Sequence, residues 1–207
     1  MSKINLYRHP LSGHSHRVEL LLALLNIDAN IIDIDLMSGE QKSPEFLQKN
    51  SAGQVPTLED GNVNLADSNA ILVYLASRYD AYRTWLPTNP QEAAEVQRFL
   101  TTAAGPVAFG PAAARLVTLF GAGLDHAKAV ETAHTLLTQL EAHLANRDWL
   151  VTNKPTIADV ANYAYIAHAP EGNVDLTAYP NVKRWLARIE QLQGFVPMQA
   201  SAVGLAA

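Results

Sequence analysis

The spacing of apolar residues up to Tyr79 switches repeatedly between the strand period and the helical period, and this switching limits the folds open to the chain. Ile4 and Leu6 alternate with polar neighbours and predict a first strand. The apolar residues of 18–25 recur at helical spacing, and those of 32–36 alternate with aspartates as in a second strand. A strand, a helix and a strand in this order predict a βαβ unit, with the two strands parallel and the helix across one face.

A short helix, a hairpin and a longer helix complete the predicted first domain. An Asp60-Gly61 pair between two short apolar runs is typical of a hairpin, so the flanking strands are expected to be antiparallel. Asp67 and Ser68 carry side chains that favour a helix N-terminus, and an apolar helical stretch follows them. Residues 1–79 are therefore predicted to fold as an α/β domain, βαβ followed by ββα, with the additional elements at 44–49 (a short helix), 57–58 and 63–65 (strands).

The rest of the chain shows no strand pattern. Residues 80–90 contain helix-breaking prolines and predict a linker. Residues 91–207 show helical spacing, and Pro106 and Pro111 are expected to mark helix ends because proline disrupts a helix interior. The sequence thus predicts an all-helical second domain, with helices near 91–100, 112–120, 125–146, 157–168 and 182–192.

Composition excludes several classes of function. With 15 Lys+Arg against 20 Asp+Glu and no run of like charge, the formal net charge of −5 disfavours nucleic acid as a partner. The absence of cysteine excludes zinc–thiolate sites and a mixed disulfide between the protein and a small thiol. The longest apolar stretch, 18–25, is interrupted by Glu19 and is well short of the ~20 residues needed to span a bilayer. We therefore expect a cytoplasmic protein with no membrane partner.

Four stretches, in this order along the chain, carry a resemblance to a known family. They are 7–18 (YRHPLSGHSHRV), 52–58 (AGQVPTL), 65–71 (LADSNAI) and 156–159 (TIAD). Together with the predicted domain order, they resemble the soluble glutathione transferases, and the first stretch resembles the serine-type, theta- or delta-like loop of bacterial members. The resemblance implies a thioredoxin-like first domain, glutathione as co-substrate, no metal, and a homodimer.

The same resemblance implies how glutathione is held. The Val55-Pro56 bond is expected to be cis, which would turn the Val55 N–H and C=O outward to pair with the tripeptide backbone. Asp67 and Ser68 are expected to bind the γ-glutamyl group, because free N–H groups at a helix N-terminus favour an anion. Gln54 is expected to face the glycyl carboxylate. Each residue also has a purely structural explanation: a strand-entry proline, two helix caps and a solvated glutamine.

Ser12 matches the position of the catalytic serine in the serine-type relatives. Its hydroxyl is expected to donate to the glutathione sulfur, reinforced by the N-terminus of the helix that follows, so that a thiol with an ordinary pKa of about 8.5 ionises. Lowering that pKa by ~2 units requires ~2.7 kcal/mol, which one charge-assisted hydrogen bond and a helix dipole are able to supply. Tyr7, His14 and Ser15 stay open as alternative partners of the thiolate.

Two further groups of residues lie in the second domain. Phe109, Arg115 and Tyr165 are expected to line a pocket for the electrophile, although helical aromatic residues are more often core. Thr156 and Asp159 match the capping box that starts a helix, and we assign them to folding.

The predicted function is the conjugation of glutathione, as thiolate, to a small hydrophobic electrophile. Glutathione-dependent peroxide reduction would use the same thiolate. A hydrolase with a nucleophilic serine is disfavoured, because the sequence has no GxSxG motif and no carboxylate is evidently paired with His9, His14 or His16. The alternative is a non-catalytic interaction module with the same fold.

Overall fold

The computed structural model describes residues 4–207, so residues 1–3 of the predicted first domain lie outside the described residues. The described chain divides into two units. The first contains residues 4–83 and Gln193–Gln199, and the second contains Thr84–Leu192 and Ala200–Ala207. The division at 83/84 falls inside the predicted linker, whereas the sequence analysis placed 193–199 in the helical domain.

The strands of the first unit form one mixed sheet in the order β2-β1-β3-β4. β1 pairs in parallel with β2 and antiparallel with β3, and β3 pairs antiparallel with β4. Leu6 of β1 lies opposite Leu58 of β3, and neither side chain has exposed surface. The predicted βαβ-ββα order is confirmed, with the elements at β1 (Ile4–Arg8), α1 (Gly13–Leu24), β2 (Ala29–Asp33), α2 (Pro44–Lys49), β3 (Thr57–Asp60), β4 (Val63–Ala66) and α3 (Ser68–Tyr79).

The prediction of β2 at 32–36 is wrong in its bounds, because the strand ends at Asp33. Ile34 follows the strand and is buried in a cluster with Tyr7 and Phe46, against which Leu36 also packs. The Ile34 N–H still donates to the Arg8 carbonyl at 2.8 Å, which is a further bond to β1 beyond the assigned strand, and packing alone continues the alternation from there to Leu36. Period-two spacing reports burial on one side of an extended chain, and it does not separate paired from unpaired residues.

The second unit contains five α-helices among the described residues: α4 (Pro90–Ala104), α5 (Ala113–Phe120), α6 (His126–His143), α7 (Ile157–Ala167) and α8 (Pro180–Glu190). The predicted helix end at Pro111 is wrong. Pro111 lies inside a π-helical turn, Ala108–Ala112, that leads directly into α5. The wider hydrogen-bonded turn accommodates a residue that lacks an N–H and would clash in an ordinary helix. Gly110 in this turn lies so close to α6 that a Cβ atom on it would be 2.9 Å from the Ala133 nitrogen.

α7 forms the core of the second unit, because its residues 157–166 are all buried. Its N-terminus carries a capping box. The Thr156 hydroxyl accepts from a backbone N–H of the first turn, and the Asp159 carboxylate accepts from the Thr156 N–H at 2.8 Å. The Asp159 carboxylate also accepts from the Leu150 N–H at 3.0 Å and from the Trp185 indole N–H at 2.9 Å. One buried carboxylate thereby joins a loop, the start of α7 and the middle of α8.

Among the described residues, one helical run, Pro90–Phe120, is long and apolar enough to cross a membrane by length and composition. Core helices of soluble proteins pass the same test. Arg115 of this run forms a buried ion pair with Glu171, an arrangement typical of a packed protein interior. The expected absence of a membrane partner stays a prediction.

Candidate active site

A cavity of about 300 Å³ in the first unit brings together the residues predicted to hold glutathione. It lies where the loop before β3 meets the start of α3. The lining residues include all of the predicted set, Gln54, Val55, Pro56, Asp67 and Ser68, together with His14, Asn50, Ala52 and Ala66. His14 was predicted as a possible thiolate partner and not as part of the binding cavity, and Asn50 was not predicted at all.

The loop that precedes β3 is folded by the side chain of Asn50. Its Nδ2 donates to the Gln54 carbonyl at 2.8 Å, and its Oδ1 accepts from the Ala52 N–H at 3.0 Å. Gly53 has a φ of 59°, and a Cβ atom there would lie 2.7 Å from the Gln41 carbonyl oxygen, so only glycine fits. The Val55–Pro56 bond that ends the loop is cis. An asparagine three positions ahead of a glycine is the sequence signal that would have identified Asn50.

Asp67 occupies the N-cap of α3 with an unusual backbone conformation. Its φ is 72°, and its side chain accepts from the Ala70 N–H at 2.9 Å. A non-glycine residue with this φ costs of order 1–3 kcal/mol, and such strain is concentrated at functional sites. Ser68 is the first residue of α3 and is 4% exposed. The structure therefore shows the capping role of Asp67 and places Ser68 in the cavity wall.

Arg17 of α1, which was not predicted as a site residue, is a buried cation that contacts two residues of the cavity wall, His14 and Ser68. It is 1% exposed, and its Nη1 lies 3.1 Å from the Ser68 hydroxyl oxygen and 2.9 Å from His14 Nδ1. Nη1 carries two hydrogens, so it donates to both acceptors. The available signal is an arginine directly ahead of the apolar stretch of α1, because burying a charge requires partners.

His14 is neutral, and its tautomer follows from Arg17. Burial, followed by the charge of Arg17, lowers the pKa of His14 to about 3. Because the guanidinium is only a donor, His14 Nδ1 accepts, and the ring proton lies on Nε2. A neutral imidazole thus lines the cavity, with the Arg17 guanidinium next to it.

Ser12 caps the N-terminus of α1 rather than lining the cavity. Its Oγ accepts from the Ser15 N–H at 3.2 Å, and its own N–H donates to the His9 carbonyl at 3.0 Å. A hydroxyl that accepts retains its proton for donation. The capping geometry is therefore compatible with a hydrogen bond from Ser12 to a ligand atom.

Two of the alternative thiolate partners are disfavoured within the first unit, Tyr7 because its proton is already donated and Ser15 because it is buried. The Tyr7 hydroxyl donates to Glu59 Oε2 at 2.8 Å, and burial, with the neighbouring Glu59, raises the pKa of Tyr7. Lys49 bonds the other carboxylate oxygen at 2.7 Å. Ser15 has no exposed surface, and its hydroxyl accepts from the His9 N–H at 3.3 Å. Both side chains serve the packing of the unit.

Comparison with known proteins identifies the family. The model described as "Glutathione S-transferase, N-terminal domain" matches residues 2–77, and the one described as "Glutathione S-transferase, C-terminal domain" matches residues 124–193. Glutathione S-transferase 3 of Zea mays is 34% identical over 209 residues, covering 94% of this chain and 92% of that protein. The chain belongs to the glutathione S-transferase family.

Solved structures of glutathione transferases agree in fold. A possible glutathione S-transferase from Rhodopseudomonas palustris has a TM-score of 0.87 and 32% identity, covering 97% of this chain and 100% of that one. A glutathione transferase homologue from Drosophila mojavensis, solved with bound glutathione, has a TM-score of 0.81 and 31% identity, covering 93% of this chain and 89% of that one. The predicted family, fold class and enzyme class are confirmed, and the bacterial, serine-type assignment stays a prediction.

The three residues of this transferase predicted to line the electrophile pocket differ in exposure. Phe109, on the π turn, is 71% exposed. Tyr165 is 6% exposed, and Arg115 is 1% exposed with its guanidinium paired to Glu171. The interior positions of Arg115 and Tyr165 favour a packing role and do not support pocket lining. Leu116 and Phe120 of α5, which the sequence analysis did not single out, are 39% and 45% exposed.

The described part of this transferase, residues 4–207, contains no group of three or more His, Cys, Asp or Glu side chains arranged to hold a metal ion. The expectation that catalysis needs no metal stays a prediction.

Proposed function

We propose that this transferase binds glutathione in the first-unit cavity, ionises its thiol and adds the sulfur to a small hydrophobic electrophile. The observation that carries the proposal is the single cavity lined by Gln54, Val55, Asp67 and Ser68, with the buried cation Arg17 behind Ser68. The related structure from Drosophila mojavensis contains glutathione, which supports the same ligand here.

The polar groups of the cavity match the ends of a γ-glutamyl tripeptide. The start of α3 offers N–H groups and the Ser68 hydroxyl to the γ-glutamyl carboxylate, and Asp67 offers a carboxylate to its ammonium group. Arg17 donates to Ser68 Oγ, so the Ser68 proton is directed to an acceptor such as the ligand carboxylate. Val55 would pair with the cysteinyl backbone, and Gln54 with the glycyl carboxylate.

Ser12 supplies the chemistry in this proposal. Its hydroxyl would donate to the glutathione sulfur, and the N-terminus of α1 would favour the negative charge. The thiol proton passes to solvent water, and the thiolate forms a bond to the electrophilic carbon. A leaving group, where the electrophile has one, departs with the electron pair; otherwise the adduct takes up a proton from water. Ser12 stays unmodified, because it stabilises the thiolate and is not itself a nucleophile.

The second unit carries exposed apolar side chains that would suit contact with a hydrophobic electrophile. Phe109 lies on the π turn, and Leu116 and Phe120 lie four positions apart on α5; all three are exposed. Exposed aromatic and aliphatic side chains of this kind suit a hydrophobic substrate. Phe109 keeps its predicted role in this proposal, and Leu116 and Phe120 replace Arg115 and Tyr165.

Retention on immobilised glutathione, followed by a conjugation assay with a chloronitroaromatic, tests the proposal. We expect both binding and turnover. Binding without turnover would favour a non-catalytic interaction module. A parallel assay with an organic hydroperoxide separates conjugation from glutathione-dependent peroxide reduction, which uses the same thiolate.

We also propose a two-fold dimer in the cytoplasm, since such dimers are the commonest soluble oligomers. Sedimentation equilibrium at micromolar concentration should give twice the mass of the chain, and the single-chain mass would contradict the dimer. Cell fractionation tests the location.

A further inference from the structure

Residues Gln193–Gln199, called the strap below, follow α8 in sequence but belong to the first unit. Gly194 lies against the last turn of α1: it has a φ of 90°, and a Cβ atom on it would be 2.8 Å from the Ala23 carbonyl oxygen. Two residues later, the Val196 carbonyl accepts from His16 Nε2 at 2.8 Å. The strap therefore runs antiparallel to α1, from the end of the helix towards its start.

His16 connects the strap to the turn that carries Ser12. Its backbone N–H donates to the Ser12 carbonyl at 2.9 Å, which closes the first turn of α1. Its side chain, 2% exposed, donates to Val196. A single residue thus holds the first turn through its backbone and fastens that turn to the strap through its ring.

The first turn of a helix is its least constrained part, because its N–H groups have no partners within the helix. In α1 the Ser12 hydroxyl satisfies one of these groups, at Ser15. The bond from His16 to Val196 adds an anchor from outside the helix. The hydrogen bond is part-buried, and breaking it removes this partner from the buried His16 ring, which costs free energy.

We propose that His16 is a positioning residue and that the strap, by holding His16, fixes the place of the Ser12 hydroxyl for ionisation of the bound thiol. This inference rests on the proposed function. The groups expected to hold the peptide part of glutathione lie mainly outside α1, in the loop that contains Gln54 and Val55 and at the start of α3. Loss of the strap contact should therefore change the pKa of the bound thiol more than it changes the affinity for glutathione.

Two pairs of full-length variants test the proposal. His16→Leu removes the donor, whereas His16→Gln retains an N–H at a similar reach. Gly194→Ala places a methyl group against Ala23 and displaces the strap. Its matched control is Gly121→Ala, because Gly121 has a φ of 66° but no atom within 4 Å of an added Cβ. The control introduces similar backbone strain without displacement.

We expect His16→Leu and Gly194→Ala to lower kcat at neutral pH by about 10-fold or more, since small misplacements of catalytic groups have effects up to ~10²-fold. The pKa of the bound glutathione thiol, followed by ultraviolet absorbance, should rise in both variants, while KM for glutathione changes much less. His16→Gln and Gly121→Ala should resemble the unmodified protein in all three measurements.

Variants that melt at a lower temperature but keep kcat and the thiol pKa would show that the strap is only structural, and the proposal would be overturned. If the unmodified protein binds glutathione without turnover, the proposed function fails separately. In that case amide hydrogen exchange at residues 13–17 decides the inference. Faster exchange in His16→Leu and Gly194→Ala, but not in their controls, supports the strap, and unchanged exchange overturns it.

Discussion

Arg17 and Ser68 are 51 positions apart in the sequence, and the Arg17 Nη1 atom lies 3.1 Å from the Ser68 hydroxyl oxygen. The contact joins α1 to the start of α3 at the wall of the cavity. Because Arg17 is buried, its charge depends on this hydroxyl and on His14 for part of its solvation. The two residues therefore couple the stability of the first unit to its ligand site.

We expect Arg17→Met and Ser68→Ala each to lower the free energy of unfolding, with a coupling of about 1–2 kcal/mol between them, since a hydrogen bond to a charged group contributes roughly 1.5–3 kcal/mol. Urea unfolding of the two single variants and the double variant measures the coupling. The affinity for glutathione should fall in both single variants.

As a control, Arg98→Met removes an exposed ion pair with Glu95 and should lower the free energy of unfolding by no more than about 1 kcal/mol. Additive effects of the Arg17 and Ser68 changes would contradict this prediction.

Replacing Ser12 by alanine should reduce turnover at neutral pH by roughly 10²-fold, the loss expected for about 2.7 kcal/mol, and raise the pKa of the bound thiol. Because Ser12 also caps α1, the variant should lose about 1 kcal/mol of stability. Ser43→Ala is a matched control: Ser43 caps α2 by accepting from the Phe46 N–H at 3.2 Å. It should lose similar stability and keep full turnover.

Tyr7→Phe addresses the tyrosine-type alternative in the same assay. The Tyr7 hydroxyl already donates to Glu59, so its removal should leave turnover close to that of the unmodified protein. If Tyr7→Phe abolished turnover while Ser12→Ala retained it, the assignment of Ser12 would be wrong.

The low pKa of His14 should make the first unit sensitive to acid. The folded state lowers this pKa from 6.5 to about 3, so between these values the unfolded chain binds a proton that the folded chain does not. Stability should therefore be complete above the unfolded pKa and fall as the pH drops through this range. His14→Asn retains an acceptor for Arg17 but does not titrate. Urea unfolding from neutral pH to about pH 4 should show a shallower decline for the variant, and parallel curves would refute the prediction.

Asp159→Ala should destabilise the second unit strongly. It would leave the N–H groups of Leu150, Thr156 and Trp185 buried without an acceptor, and each such group costs about 1–3 kcal/mol. Thr156→Ala should cost only about 1 kcal/mol. Asp125→Ala, which removes an exposed helix cap, is the control and should resemble Thr156→Ala. Thermal unfolding that ranks Asp159→Ala with the two milder variants would be inconsistent with this role.

The order of elements could be predicted because each period of apolar spacing has one structural cause. The limits of that method appear at Leu36, where packing against the buried cluster continues the alternation past the end of β2. They appear again at Pro111, since the sequence does not show that a π turn would accept a proline. Element type was therefore predictable, whereas bounds that depend on tertiary packing were not.

The residues of the candidate site that lie in a short sequence motif could be predicted. Those that contact the site from a distant part of the sequence could not. Gln54, Val55, Asp67 and Ser68 lie in two short motifs, and one cavity contains them all. Arg17 was missed because its partner Ser68 is remote in sequence. The strap was missed for the same reason, as residues 193–199 have no periodicity of their own and are ordered by contact with α1.

The π turn at Ala108–Ala112 changes the helical phase of α5, the helix that follows it. One additional residue in a turn rotates the later side chains by about 100° relative to an uninterrupted helix. In this phase Phe109 is exposed while Arg115 is buried against Glu171. An evolutionary deletion of one residue here would restore regular helix but rotate Arg115 away from its carboxylate. The irregular turn and the buried ion pair can therefore change only together.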